Sequence, residues 1–267
     1  MWRASPLGGR CKLMEATQRS NSYRASCAQI IGRSHEKSGT PCQDFVAARV
    51  QRDFACVALA DGAGSKTHSE QGARTVVKAV TRILSDRFDE LWRLAGDDPS
   101  QVSGQLLQHC LEALQHQALR LDCQLSDLAS TLLFVAHSKG RYLAGHLGDG
   151  CIIQQEEGGQ LVVLSHPENG EYANTTFFVT DATAEKRLRI YQGECTMGAG
   201  FVVMSDGTAE SLYRRSDGSP AAAVGQVLNW NRTISPSEMR AVLGANLERT
   251  FSAKSADDCS IGVLSVL

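Results

Sequence analysis

TLLFVAHSKGRYLAGHLGDGCIIQQ, residues Thr131–Gln155, decides the architecture. Its first two apolar runs, Thr131–His137 and Arg141–Leu147, are separated only by Ser138-Lys139-Gly140. A link that short cannot hold a crossover helix, so the two runs pair as an antiparallel hairpin. A third run, Cys151–Gln155, follows Gly148-Asp149-Gly150 and is closed by Gly158-Gly159, again with turn chemistry. Outward from this block, further strands are expected at Phe45–Val50, Phe54–Ala60, Leu161–Leu164, Thr176–Thr180, Phe201–Met204 and Ser260–Leu267.

Helical spacing marks the intervening segments. Ala73, Val76, Val77, Val80, Leu84, Phe88 and Leu91 share one face of a first helix, with Thr67-x-x-Glu70 as its expected capping box. Leu106, Leu107, Cys110, Leu114, Leu121 and Leu125 mark a second, between Pro99 and Ser126. Ser235-Pro236-Ser237-Glu238 announces a third, with cap, proline and acidic third position in order. A shorter helical stretch is expected over Ala221–Trp230. Strands cluster on both sides of a helical pair, without the regular alternation of a doubly wound sheet. That layout predicts an α+β domain of packed sheets covered by helices. Residues 1–25 read as an N-terminal extension and 26–267 as one domain.

The 267 residues suffice for a large core without staples, and 27 basic against 29 acidic side chains leave a net charge of −2. That balance offers no field for nucleic acid and no polybasic patch for a membrane. No apolar run approaches the ~20 residues of a bilayer span. Nine cysteines, an odd number with no Cys-x-x-Cys pair, read as reduced thiols of a cytoplasmic protein.

The acidic pattern carries the functional information. The 24 glycines and 15 aspartates would give about one Asp-Gly pair by composition alone. Four occur, at Asp61, Asp149, Asp206 and Asp217. Three of them end an apolar strand, whereas Asp217-Gly218 lies in a polar loop and reads as a turn. Asp257-Asp258 precedes the last apolar run. Two readings fit: unrelated tight turns, or carboxylates gathered at strand ends around a hard cation such as Mg or Mn.

The ordered series Gly39-Thr40-Pro41-Cys42-Gln43-Asp44, Ala60-Asp61-Gly62-Ala63-Gly64-Ser65, Ser130-Thr131-Leu132-Leu133, Gly148-Asp149-Gly150, Met204-Ser205-Asp206-Gly207 and Asp257-Asp258-Cys259-Ser260 resembles the metal-dependent type 2C protein phosphatases. The resemblance implies a four-layer α-β-β-α sandwich of two antiparallel sheets flanked by helix pairs. It also implies two Mn or Mg ions, and a third, weaker one, at one end of the sandwich. Asp61 would bridge two ions, with the Gly62 carbonyl on one of them. Asp206 and Asp257 would complete one shell, and Asp149 with Asp206 would serve the third ion. Asp44 falls where relatives have an acid near the metals. Asp258 occupies a position where relatives carry Asn or Asp, leaving Asp257 as the ligand of that pair.

The sequence departs from the family at Gln43, where relatives have Glu, and at Ala63, where many eukaryotic members have His. The phosphate-binding Arg of relatives has Arg33, His35 and Lys37 as candidate counterparts. These changes, and the stretch Ser165–Thr176, resemble a bacterial branch. His166, at the start of that stretch, is the histidine candidate for acid–base work, with Asp61 and Asp206 as the catalytic carboxylates; the stretch itself would be a substrate-facing lip. His68 and His146 read as structural.

The implied activity is metal-dependent hydrolysis of phosphoserine or phosphothreonine in proteins by a metal-activated water. The substrates would be a protein kinase or its targets, and the enzyme a monomer. The alternative is a pseudophosphatase that binds a kinase or signalling partner, motivated by Gln43 and Ala63. A nuclease is disfavoured by the neutral charge and the lack of a basic, aromatic-lined groove.

Overall fold

Why the central strands lack polar alternation is answered by the layers around them. In Phe54–Ala60 every residue is buried: Cys56, Ala58 and Ala60 face one apolar layer, while Ala55, Val57 and Leu59 face another. Side chains alternate across a strand, so an unbroken apolar run requires cover on both faces. Phe201 and Val203 likewise point between the sheets, and Val202 and Met204 point to helices.

The computed structural model describes residues 23–168 and 176–267. In chain order it contains β1 (Tyr23–Ile30), α1 (Arg33–Ser38), β2 (Phe45–Val50), β3 (Ala55–Ala60), α2 (Ser69–Asp97) and α3 (Pro99–Leu121). Then follow a 3-10 turn (Leu125–Leu128), β4 (Leu132–Ser138), β5 (Arg141–Leu147), β6 (Cys151–Gln155) and β7 (Leu161–Ser165). The remainder is α4 (Ala184–Arg187), β8 (Arg189–Glu194), β9 (Gly200–Met204), α5 (Asp206–Leu212), β10 (Tyr213–Arg214), β11 (Ser219–Pro220), α6 (Ala223–Thr233), α7 (Pro236–Asn246), a π-helical turn (Leu247–Phe251) and β12 (Cys259–Val266).

Two five-stranded sheets, ordered β1-β12-β9-β6-β7 and β2-β3-β4-β5-β8, are antiparallel throughout. Val57, Leu133, Phe201 and Leu264 fill the space between them. Helices α2 and α3 cover the second sheet through Val76, Leu84, Leu106 and Leu114. Helices α5, α6 and α7 cover the first through Ala209, Val227, Leu228, Met239 and Leu243. This is the four-layer α-β-β-α sandwich. No described helix is long and apolar enough to cross a membrane, and the eight described cysteines are free.

The structure differs from the sequence expectation at several places: β1 and β8 are strands beyond the expected set, and α3 ends at Leu121, leaving Leu125 in the 3-10 turn. Ser235 and Glu238 form their reciprocal box at the start of α7, but Thr67 and Glu70 do not. There His68 is the N-cap without a side-chain bond, because the loop is held instead by His68 N–H donating to the Asp127 carbonyl at 3.1 Å. Thr176–Thr180 is a turn rather than a strand: Asp181 Oδ2 accepts the Phe178 N–H at 2.7 Å, and Val179 N–H reaches the Ser130 carbonyl. Strand β1 pairs from Tyr23↔Val266, three residues ahead of the boundary drawn at 26. Arg87 has non-helical φ and ψ, which kinks α2 without a proline. Asp217-Gly218 makes the turn of the β10–β11 hairpin, with Gly218 at φ +67°. Residues 1–22 and 169–175 of the expected lip lie outside the described residues.

Candidate metal centre

Antiparallel register brings the acidic motifs to one end of the sandwich. Phe45 pairs with Ala60, so Asp44 enters β2 beside Asp61 leaving β3. Met204 pairs with both Cys151 and Ile261, so Asp206 after β9 lies between the Asp149 turn and the Asp257-Asp258 turn before β12. Asp61, Gly62, Ala63, Gly64, Ser65, Thr131, Asp149, Thr176, Phe178, Asp206 and Asp257 line one cavity of about 430 Å³. Asp44 is buried and adjoins this cluster, its charge acting on Asp61.

Local hydrogen bonds fix each carboxylate-bearing turn. Asp61 N–H donates to Thr131 Oγ1 at 2.8 Å, and Thr131 N–H donates back to the Asp61 carbonyl at 2.8 Å. A Cβ on Gly62 would stand 2.9 Å from the Gln43 carbonyl oxygen and from the Ser69 backbone, so only glycine fits there. Thr176 Oγ1 donates to Asp149 Oδ2. Asp206 opens α5 and accepts the Gly207 N–H at 2.6 Å. Asp257 accepts the Asp258 N–H at 2.8 Å.

Electrostatically the cluster is uncompensated. Among the described residues no Lys, Arg or His forms an ion pair with Asp44, Asp61, Asp149, Asp206 or Asp257. Both carboxylate oxygens of Asp44 are buried without a hydrogen-bond partner. Burial, followed by the charges of Asp44, Asp206, Asp149 and Asp257, holds the Asp61 carboxyl well above its ordinary range. Burial, followed by Asp149 and Asp257, pushes Asp206 up to about 7. Burial also pushes Asp44 up to about 8, opposed by Ser260 and reinforced by Asp258. An all-oxygen donor set with orphaned buried oxygens fits a hard divalent cation.

Residues 31–248 match the family model described as protein phosphatase 2C. The chain belongs to this family. It is 28% identical over 206 residues to "Serine/threonine-protein phosphatase 3" of Escherichia coli K12, covering 74% of this chain and 79% of that protein. Among solved structures it resembles PppA, a regulatory component of the type VI secretion system in Pseudomonas aeruginosa, with a TM-score of 0.61 at 18% identity over 92% of this chain and 98% of that one. It also resembles the catalytic domain of the serine/threonine phosphatase PstP, whose crystal structure holds two manganese ions. That match has a TM-score of 0.58 at 17% identity, over 92% and 98% of the two chains.

Against this protein phosphatase 2C frame, Asp61, Gly62, Asp149, Asp206 and Asp257 all reach the cavity, with Asp44 buried alongside. His166 does not reach it. Its ring is exposed, with Nδ1 3.1 Å from Tyr213 Oη and edge-on contact at 5.9 Å, so it serves the β10–β11 hairpin. Arg33, His35 and Lys37 lie on α1, which is tied to the turn before β12 by Ser34 N–H and Oγ donating to the Ala256 carbonyl. None of the three lines the cavity. His35 turns its Nδ1 to Asp258, 3.0 Å away. His68 caps α2, and His146 is buried with Nδ1 2.7 Å from Ser165 Oγ. Thr131 and Thr176 are the hydroxyls that sequence reasoning left without a role, since their partners are 70 and 27 residues away.

The shifted groups give a pH dependence. Burial lowers the pKa of His137 and His146, so their contribution to stability is complete above about 6.5 and is lost as pH falls below it. Asp44, Asp61 and Asp206 have raised values, so their contribution is complete below the ordinary carboxylate range and is lost as pH rises through neutrality. Between pH 6.5 and 8 the carboxylate effect remains. The melting temperature of the EDTA-treated protein is therefore expected to fall from pH 6.5 to 8, and excess Mg to abolish that fall. A flat EDTA profile in differential scanning fluorimetry would contradict the assignment of these shifts.

Proposed function

We propose that this chain is a metal-dependent protein serine/threonine phosphatase. The observation that carries the reading is the convergence of Asp44, Asp61, Asp149, Asp206 and Asp257 at one end of the sandwich, with no ion pair to any of them among the described residues. Asp61, Asp206 and Asp257, with the Gly62 carbonyl, would hold two Mn or Mg ions, and Asp149 with Asp206 a third. When bound, such ions supply acidification of water and neutralisation of phosphoryl charge. The chain's own residues then orient and position. Thr131 fixes the Asp61 backbone, Thr176 holds Asp149, and Gly207 N–H aims Asp206. Arg33 and Lys37, exposed on α1 beside the turn that carries Asp257, are the cations available to an incoming phosphorylated side chain.

No histidine lines the cavity among the described residues, so the leaving oxygen takes its proton from solvent in this reading. The fold match to PppA and PstP supports the layout, and the Escherichia coli relative supports serine/threonine specificity. We place the enzyme in the cytoplasm as a monomer acting on phosphoproteins, including kinases and their targets. The binding-module alternative finds no support, because the acidic positions that a silenced site would lose are assembled here.

The test is phosphate release from phosphoserine and phosphothreonine peptides, with Mn or Mg and with EDTA. Release that requires the metal is expected. Absence of release at every metal concentration, from a protein with native melting behaviour, would refute the proposal.

A further inference from the structure

The outward face of the α2–α3 pair carries a second feature, remote from the carboxylates. A groove of about 610 Å³ runs between the helices, lined by Arg74, Lys78 and Arg82 of α2 and His109, His116 and Arg120 of α3. The three α2 cations follow i, i+4, i+8 spacing and stack on one stripe about 12 Å long. Like charges at that spacing repel one another along a helix face, so the stripe opposes helix stability.

Compensation within the protein is thin. Glu112 is the one carboxylate among the lining residues, and it is engaged by Gln108 at 3.0 Å. Glu70 and Asp86 stand at the two ends, 3.9 Å from Arg74 and 3.8 Å from Arg82, too long for hydrogen bonds. Among the described residues Lys78 and Arg120 have no carboxylate partner. In a chain of net charge −2 this face is locally cationic.

Its position relative to the cavity gives it a use. Gly62–Ser65 line the cavity, and α2 starts four residues later at Ser69. Arg74, at the near end of the stripe, lies over the Phe45 ring at 4.9 Å, and Phe45 directly follows Asp44.

We propose that this groove docks an acidic segment of a protein partner, an Asp/Glu-rich stretch whose carboxylates pair with Arg74, Lys78, Arg82 and Arg120. On the reading of the cavity as a phosphatase centre, that partner is a substrate whose phosphorylated residue enters beside Asp61. Charge complementarity selects an acidic occupant. The groove has no Phe, Tyr or Trp among its lining residues on which bases could stack, which disfavours a single-stranded nucleic acid.

The test uses the full chain and a variant carrying Lys78→Glu, Arg82→Glu and Arg120→Glu, with Lys78→Gln plus Arg120→Gln as a milder second variant. Fluorescence anisotropy is measured with a labelled Glu/Ala helical peptide, its Lys/Ala counterpart and an oligothymidylate. The Glu/Ala peptide is expected to bind the natural chain, to lose about tenfold or more in affinity in the triple variant, and to weaken as salt rises. The Lys/Ala peptide is expected not to bind. Equal affinity of the Glu/Ala peptide for the natural and triple-variant chains, no binding to either, or tighter binding of the oligothymidylate would overturn the proposal. A phosphopeptide extended by the Glu/Ala segment is expected to show a lower KM than the short phosphopeptide with the natural chain alone. Should no peptide release phosphate, the phosphatase reading fails while the anisotropy result still decides the groove.

Discussion

Asp206→Asn is expected to remove metal-dependent phosphate release, by about 10³-fold or more, and at the same time to raise the melting temperature of the metal-free protein at pH 8. The two effects have one cause. Asp206 is pressed by burial and by the charges of Asp149 and Asp257, so ionising it costs free energy that only a bound cation returns. Asn has the same shape, and its Oδ1 can still accept the Gly207 N–H that Asp206 accepts at 2.6 Å. Removing the charge without the hydrogen bond should gain about 1–2 kcal/mol, roughly 3–6 °C for a chain of this size. At pH 5 the Asp206 carboxyl is already largely protonated, and the gain should shrink.

Asp61→Asn should behave the same way, since Asp61 meets Asp44, Asp206, Asp149 and Asp257 together. Activity assays and melts at pH 5 and pH 8 check both variants. A variant that loses activity but melts lower at pH 8 would mean that the carboxylate stabilises the fold, against the cation-site reading.

How much of this was legible in the sequence follows from where the information resides. Strands β3, β4, β9 and β12 are buried on both faces and announce themselves as apolar runs. Strands β1 and β8 lie at sheet edges, and their sequences, YRASCAQI and RIYQGE, are half-exposed and mixed. An edge strand needs one covered face and one partner, so its pattern is weak. The Asp-Gly turns at strand ends were readable because the cost of an acid next to a core strand is local. The roles of Thr131 and Thr176 were not, because each is defined by a distant partner. The orientation of His166 is of the same kind: its place before the polar loop does not say that its ring turns to Tyr213.

Asp258 shows what such a long-range role amounts to. Its carboxylate is 2% exposed and accepts the Gly32 N–H at 2.6 Å on Oδ1 and the Gln43 N–H at 2.6 Å on Oδ2, with His35 Nδ1 at 3.0 Å. It thus binds together the entry to α1, the turn ahead of Asp44 and the turn that carries Asp257. The fit at Gly32 is tight, since a Cβ there would come within 2.3 Å of the Asp257 carbonyl carbon. Asp258→Ala would leave two buried N–H groups without acceptors and open a void, costing about 3–5 kcal/mol, or roughly 10 °C. Because Asp44 and Asp257 lose their common anchor, Mn affinity measured by calorimetry below the melting range should fall as well. Asp258→Asn keeps one acceptor and turns an amide NH₂ toward the other N–H, so its cost should be intermediate. The neighbouring substitution separates anchoring from ligation: Asp257 is exposed and lines the cavity, so Asp257→Asn should weaken Mn binding with little change in melting. Were Asp258→Ala to melt and bind Mn as the natural chain does, the carboxylate would not be the tie that holds this end of the sandwich together.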